Sequence, residues 1–370
     1  MKFKPRILIC GILPPPYFGH SMMYKMLMES EFIKTYDVTF MNMHFWTYGT
    51  HKKVTIAKLW KMARYVFQYI YLILRHRPQY VLYNMSFDKM PFLKDYLFCR
   101  LGKLLGCKIV IHDMGQYVQE LYDNGSDFYK RLVKKFCAMA TASIVLGEGT
   151  KDKYEGFMDR KKLVSVPGCV TDFYDEGVRK EKSREYVRVL YFSFLSRTKG
   201  VMTAIKAIPE VIKHNKNVRF TFGGPIESDE LKNEIDVFIT KNQLKEYVEF
   251  LGYVDSEEKR TELMRQSDIF IFPTLRDVFG LVLLHAMAEG LAVVASIEGT
   301  IPEIVQDGKT GVLFSKGDEF KLVENILMLA KDQDLREKMG HNGRQRYLEM
   351  FTLEVYGQNM IKAFNQIIKL

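Results

Sequence analysis

The sequence predicts an α/β chain built as two Rossmann-like domains, and three observations carry that expectation. At 370 residues the chain exceeds what one hydrophobic core usually organises. Short, continuous apolar runs alternate with helical patterns along its length, the grammar of parallel sheets covered by helices. The same alternation then begins afresh after Lys182.

Strands are expected in the first half at Arg6–Ile12, Val38–Asn42, Tyr80–Asn84, Lys108–His112, Ala142–Leu146 and Lys162–Val166. Helical patterns such as Ser21–Ser30, Ile56–Arg75 and Phe92–Leu105 lie between them. In the second half the strands are Val187–Phe194, Val218–Gly223, Val248–Leu251, Ile269–Pro273 and Ala292–Ala295. Asp175–Glu185 (DEGVRKEKSRE) is charged and nearly free of apolar residues, which marks it as the linker. The expected domains are therefore residues 1–178 and 186–352.

Hydrophobic residues make up 47% and charged residues 26% of the chain, enough apolar material for sizeable cores and too much for disorder. The net charge of +10 is unevenly placed. Residues 1–200 hold 33 Lys and Arg against 18 Asp and Glu, whereas residues 201–370 hold 21 against 26. A basic first half suits an anionic partner such as lipid, a pyrophosphate-linked acceptor or nucleic acid, or simply a solubilising surface. Cys10, Cys99, Cys107, Cys137 and Cys169 form no CxxC or paired spacing, which points to buried, reduced thiols and to no metal site. The apolar run near the N-terminus stops at three prolines, so it is expected to be a strand and not a signal peptide. No uninterrupted apolar stretch of ~18 residues predicts a membrane span.

Ile56–Arg75 admits two expectations. Lys58, Lys61 and Arg64 lie among Leu59, Trp60 and Tyr65, and residues 51–100 hold ten Lys and Arg against two Asp and Glu. A basic, aromatic helix of that kind can rest on an anionic membrane. Val66–Leu74 is apolar nearly all round, however, as in a helix buried against a sheet.

The strongest local signal runs from Phe272 to Ala295, FPTLRDVFGLVLLHAMAEGLAVVA. It reads as a buried strand, a polar turn, a helix beginning near Gly280, and a second buried strand. A turn of this kind sets Phe279, Gly280 and Leu281 at a helix N-terminus beyond a strand's carboxyl end, a natural phosphate site. In this frame the sequence resembles the retaining GT-B glycosyltransferases of family 4, also called glycosyl transferases group 1. Their pattern is P-(S/T)-x-x-E-x-FG-L-x-x-x-E-AMA-x-G-x-PVV, and the resemblance spans essentially the whole chain. Asp277 takes the place of the first carboxylate and His285 that of the second. The resemblance implies that Asp277 lies near the donor sugar's hydroxyls and His285 near the ribose. A carboxylate accepts from two hydroxyls, while neutral imidazole offers one donor and one acceptor, so His285 departs from the pattern.

Other segments resemble the same family. GTIPEIV from Gly299 and DGKTGVLF from Asp307 resemble its GG-x-x-E and (D/N)G-x-(T/N)G turns, so the Thr300 and Ile301 amides are expected near the donor. Glu303 is expected either to cap a helix or to order the loop. YFSFLSRTKG resembles the diphosphate loop F-x-G-R-L-x-x-x-KG. Lys199 and Gly200 match there, Phe194 stands in place of Arg, and Arg197 is the candidate replacement cation. Gly224, in the FGGP turn, is expected to let the donor approach, and Tyr253 and Val254 to lie against the nucleobase. In the first half, PPPYFGHS resembles the PP-x-GG loop, with Gly19 retained and Phe18 replacing a glycine. His112 occupies the family's strand-end His position, with Asp113 placed to orient it.

The resemblance implies a GT-B fold whose two Rossmann-like domains face each other across a cleft, with residues 353–370 crossing back to the first. It also implies transfer of a sugar from a UDP- or GDP-type donor to an acceptor hydroxyl, with Asp277 and His112 as the catalytic residues. The partners would be a nucleotide sugar and a sugar or lipid-linked saccharide, without nucleic acid, cofactor or metal. Surface-polysaccharide or lipopolysaccharide synthesis is the expected setting, in the cytoplasm with peripheral contact to an anionic membrane. A phosphorylase of the same fold, or an impaired sugar-nucleotide binder, would share these features. A Rossmann dehydrogenase is disfavoured, because CGILPPP lacks G-x-G-x-x-G.

Overall fold

The computed structural model describes residues 4–15, 17–44, 56–115, 118–175, 185–254 and 256–370. The chain divides into two compact units, Met1–Cys169 with Leu353–Leu370, and Val170–Thr352.

The first unit runs β1 (Arg6–Gly11), α1 (Gly19–Glu29), α2 (Phe32–Thr35), β2 (Asp37–Asn42), α3 (Ile56–His76), β3 (Tyr80–Asn84) and α4 (Lys89–Leu104). It continues through β4 (Lys108–Asp113), α5 (Val118–Asp123), α6 (Asp127–Met139), β5 (Ala142–Val145), α7 (Glu148–Lys151) and β6 (Leu163–Ser165). Its six strands lie in the order β2-β1-β3-β4-β5-β6, all parallel. The central strands are buried along nearly their whole length, which is why they read as continuous apolar runs.

The second unit runs β7 (Val187–Phe192), α8 (Val201–His214), β8 (Val218–Gly223), α9 (Asp229–Lys241), β9 (Val248–Gly252), α10 (Glu257–Arg265), β10 (Ile269–Phe272) and α11 (Leu281–Ala288). It closes with β11 (Ala292–Ile297), α12 (Ile301–Ile304), β12 (Gly311–Ser315), α13 (Glu319–Lys331) and α14 (Gln333–Met350). The order β12-β11-β10-β7-β8-β9, again parallel, reverses direction between β7 and β10. That reversal is the switch point at which open α/β sheets leave a crevice beyond their carboxyl ends. β12 is a strand the sequence reading leaves unnamed.

Helix α15 (Leu353–Ile368) packs within the first unit. Phe364 lies 5.3 Å from Phe32 and 5.7 Å from Tyr80, ring centre to centre, and the Tyr36 hydroxyl donates to Asn365 at 2.8 Å.

Residues 170–175 belong to the second unit, whereas the sequence reading places them in the first. The reason is a set of anchors: the Tyr347 hydroxyl donates to the Val170 carbonyl at 2.9 Å, and Arg344 grips Asp172 through two bonds of 2.7 and 2.8 Å. Most of the expected linker, residues 176–184, lies outside the described residues. All five cysteines are buried and free. No helix among the described residues is long and apolar enough to cross a membrane.

Candidate active site

In the second unit the two strands at the switch point each deliver one charged side chain. The loop after β7 brings Lys199 and the loop after β10 brings Asp277, and their side chains meet at 2.6 Å. The two loops are laced together. The Thr198 carbonyl accepts from the Leu275 and Arg276 amides at 2.9 and 3.0 Å, and from the Thr274 hydroxyl at 3.2 Å. Gly200 explains part of that approach. Its φ is 74°, and a Cβ there would sit 1.7 Å from the Pro273 carbonyl oxygen, so only glycine fits.

Asp277 also shapes its own turn. One carboxylate oxygen accepts from the Val278 amide at 2.7 Å and the Phe279 amide at 3.3 Å, leaving the other for Lys199. Gly280 then adopts φ 75° and caps α11, whose N-terminus no side chain caps. Gly299 (φ 52°) lies so close that a Cβ would meet the Asp277 carbonyl oxygen at 2.4 Å. Lys199, Asp277, Gly280 and the Gly299 loop thus converge on one place. Leu281 begins α11 beside them, while Phe279 is buried and turns toward Phe351.

Other expected residues take different roles. The Thr300 amide donates to the Val278 carbonyl at 2.8 Å and the Ile301 amide to the Glu298 carbonyl at 3.0 Å. The first bond holds the loop that follows β11 against the Asp277 turn, and the second lies within that loop. Glu303 sits in the first turn of the short α12. Arg197 is exposed and pairs with Glu234 on α9, whereas Lys199 meets Asp277. Gly224 (φ 131°) packs onto Ser193, where a Cβ would lie 1.9 Å from a carbonyl oxygen.

Between the end of β9 and α10 lies a cleft of about 740 Å³ whose wall includes Phe173, Tyr253, Val254, Thr261 and Arg265. Tyr253 and Val254 line this cleft together with Phe173, which was invisible to sequence reasoning because it precedes the supposed linker. Arg265 donates to the Phe173 carbonyl and to Glu289 at 3.0 Å, fixing that wall. Just below, Phe173, Thr171, Arg260 and His285 line a narrow crevice. Close packing, and secondarily the nearby Arg260 charge, push the His285 pKa well below its ordinary value, so the imidazole is neutral. Arg260 bonds Glu257 at 3.3 Å, while its buried Nε finds no partner among the described residues. Its surface-like setting, EEKR at the start of a helix, gave no signal of this.

In the first unit, His112 is buried at the end of β4, with Tyr24 edge-on at 5.5 Å. Its Nδ1 has no partner among the described residues. Asp113, the expected orienting group, points to the opposite face of the strand and accepts from the Tyr154 hydroxyl at 2.8 Å and the Gly115 amide at 3.1 Å. Gly19 opens α1, followed by His20. Burial, aided by His20, lowers the His112 pKa from 6.5 to about 3. Because the unfolded chain takes up this proton first, the pair of states adds no pH dependence above about 6.5 and costs stability as pH falls from there toward 3. Calorimetric melting of the protein should therefore weaken over that window. The non-titrating His112→Gln variant should show a shallower fall; an unchanged slope would contradict the assignment.

Comparison with known proteins bears on this arrangement. Residues 175–346 match the model of the glycosyl transferases group 1 family. The matched stretch contains Lys199, Asp277, Gly280 and His285. The capsular polysaccharide biosynthesis glycosyltransferase CapM of Staphylococcus aureus is 28% identical over 230 residues, 61% of this chain and 56% of that protein. The chain thus spans little more than half the length of this curated relative. Among solved structures, sucrose-phosphate synthase of Thermosynechococcus elongatus superposes with a TM-score of 0.78 at 17% identity, over 99% of this chain and 100% of that one. HepE of Anabaena in complex with UDP gives 0.75 at 16% identity, over 98% and 99%. The two-unit α/β fold is accordingly of the GT-B type, as expected from the motifs.

Proposed function

We propose that the chain transfers a sugar from a UDP- or GDP-type nucleotide sugar to an acceptor hydroxyl, with retention at the anomeric carbon. The observation that carries this is the Lys199–Asp277 contact of 2.6 Å at the sheet's switch point, beneath the N-terminus of α11. A departing diphosphate needs a fixed cation or directed N–H donors, and Lys199 with the α11 terminus supplies both kinds. Asp277 is then placed to receive hydroxyls of the donor sugar. The Phe173, Tyr253 and Val254 cleft takes the base, and neutral His285 takes a ribose hydroxyl. In the transfer itself the bond from anomeric carbon to phosphate oxygen breaks and the bond to the acceptor oxygen forms on the same face. The acceptor's proton passes to the leaving phosphate oxygen. No metal or other cofactor has a part in this scheme. His112 is the second residue we assign to catalysis, near the donor's sugar, and a lipid-linked saccharide of a surface polysaccharide is the acceptor we favour. CapM, named for capsular polysaccharide biosynthesis, lends support to that setting.

Thermal-shift measurements with UDP, GDP, ADP and their sugar conjugates test the donor class. One of the UDP or GDP families should raise the melting temperature by several degrees, as binding to the native state demands. Stabilisation by none of them would overturn the proposal. Binding without transfer or donor hydrolysis would mark an impaired binder, and turnover that requires inorganic phosphate would mark a phosphorylase.

A further inference from the structure

Helix α3 has one face in the core and the other open. Tyr69 and Ile73 are buried, whereas Trp60, Phe67, Tyr71 and Leu74 are exposed, Trp60 and Phe67 at 75% and 74% of their surface. Those four sit at i, i+7, i+11 and i+14, a single stripe opposite the buried one. Helix α4 repeats the pattern: Phe98 and Cys99 are buried, while Met90, Leu97 and Leu104 form an exposed stripe at i, i+7 and i+14. The helices pack side by side, Tyr69 edge-on to Phe98 at 5.2 Å, so both open stripes point away from the same face of the sheet. Single exposed apolar residues are ordinary, but two parallel ridges of aromatic and aliphatic side chains are not.

The charges around the ridges identify what covers them. Helix α3 contains no Asp or Glu, and the single acid of α4, Asp95, is buried and bonded to Lys94 and to Tyr83 at 2.9 Å. Lys61, Arg64 and Arg75 are exposed on α3, and Arg100 and Lys103 on α4. A second copy docked by a two-fold axis would set these cations against themselves, which like-charge repulsion opposes.

We propose that the outer faces of α3 and α4 form a platform that lies on an anionic lipid leaflet. Trp60, Phe67, Leu74 and Leu104 enter the acyl boundary while Lys61, Arg64, Arg75 and Arg100 meet the headgroups. The apolar ridges distinguish this from loose electrostatic attraction, since each side chain gains by leaving water. The platform belongs wholly to the first unit and stands apart from the glycosyl-transfer proposal.

Trp60 is its own reporter once Trp46, the other tryptophan of the chain, is replaced by Phe. The full chain with Trp46→Phe should co-sediment with vesicles of phosphatidylcholine and phosphatidylglycerol mixed two to one. It should not do so with phosphatidylcholine alone. On binding, Trp60 emission should shift to the blue and become shielded from acrylamide. Lys61→Glu with Arg64→Glu should weaken vesicle binding by about 30-fold or more, given roughly 1 kcal/mol per cation near such a surface. Phe67→Ser with Leu74→Ser should weaken it comparably, and both variants should keep the parent's melting temperature within a few degrees. Three results would overturn the proposal. They are absence of binding to the anionic vesicles, binding that leaves Trp60 open to acrylamide, and shielding of Trp60 by self-association without vesicles.

Discussion

Asp277→Ala should lower the rate of sugar transfer by about 10²–10³-fold while leaving nucleotide affinity nearly intact, the loss expected when one preorganised charge at the reacting centre is removed. The carboxylate has two duties that a pair of variants separates. One oxygen holds the Val278 and Phe279 amides, and the other faces Lys199. Asp277→Asn keeps an oxygen for the amides and loses the charge. If charge is what matters, Asn and Ala should be similarly slow in single-turnover assays. If turn geometry matters, Asn should recover most of the rate. Wild-type turnover in Asp277→Ala would exclude the residue from the chemistry.

Lys199→Met should have the second largest effect, and on a different quantity. Without this ammonium, nucleoside diphosphates should bind about 10–100-fold more weakly, as expected for losing a charge-assisted contact of ~1.5–3 kcal/mol. The uncharged nucleoside should be unaffected. Titration calorimetry with the diphosphate and the nucleoside side by side reads the difference. Equal weakening of both ligands would mean that Lys199 supports the loop and does not meet the phosphates.

The parallel strands were legible because burial on both faces demands unbroken apolar runs, as in Ile7–Cys10 and Ile269–Phe272. β12 was missed because it mixes buried and half-buried residues at the sheet's edge and begins in a turn motif. Lys199 and Asp277 were legible through their frame. What the frame could not show was the use of each polar group. The Thr300 amide goes to a carbonyl 22 residues earlier, and Arg197 goes to an acid 37 residues later. Phe173 and Arg260 join the site only through folding, and neither carries a local pattern. Val66–Leu74, apolar nearly all round, suggested a buried helix. A sheet covers one face of a helix only, so Phe67, Tyr71 and Leu74 are left outside.

The packing of α15 has a consequence for how this protein is made. The first unit is assembled from two stretches of chain separated by the whole of the second. Phe364, which fits among Phe32, Tyr36 and Tyr80, leaves the ribosome after every strand of both sheets. Domains generally fold as they are synthesised, the N-terminal one first. Here the order is inverted for completion: the later unit can finish its core while the earlier one still waits, with an open seam, for residues translated more than 180 positions after its sixth strand.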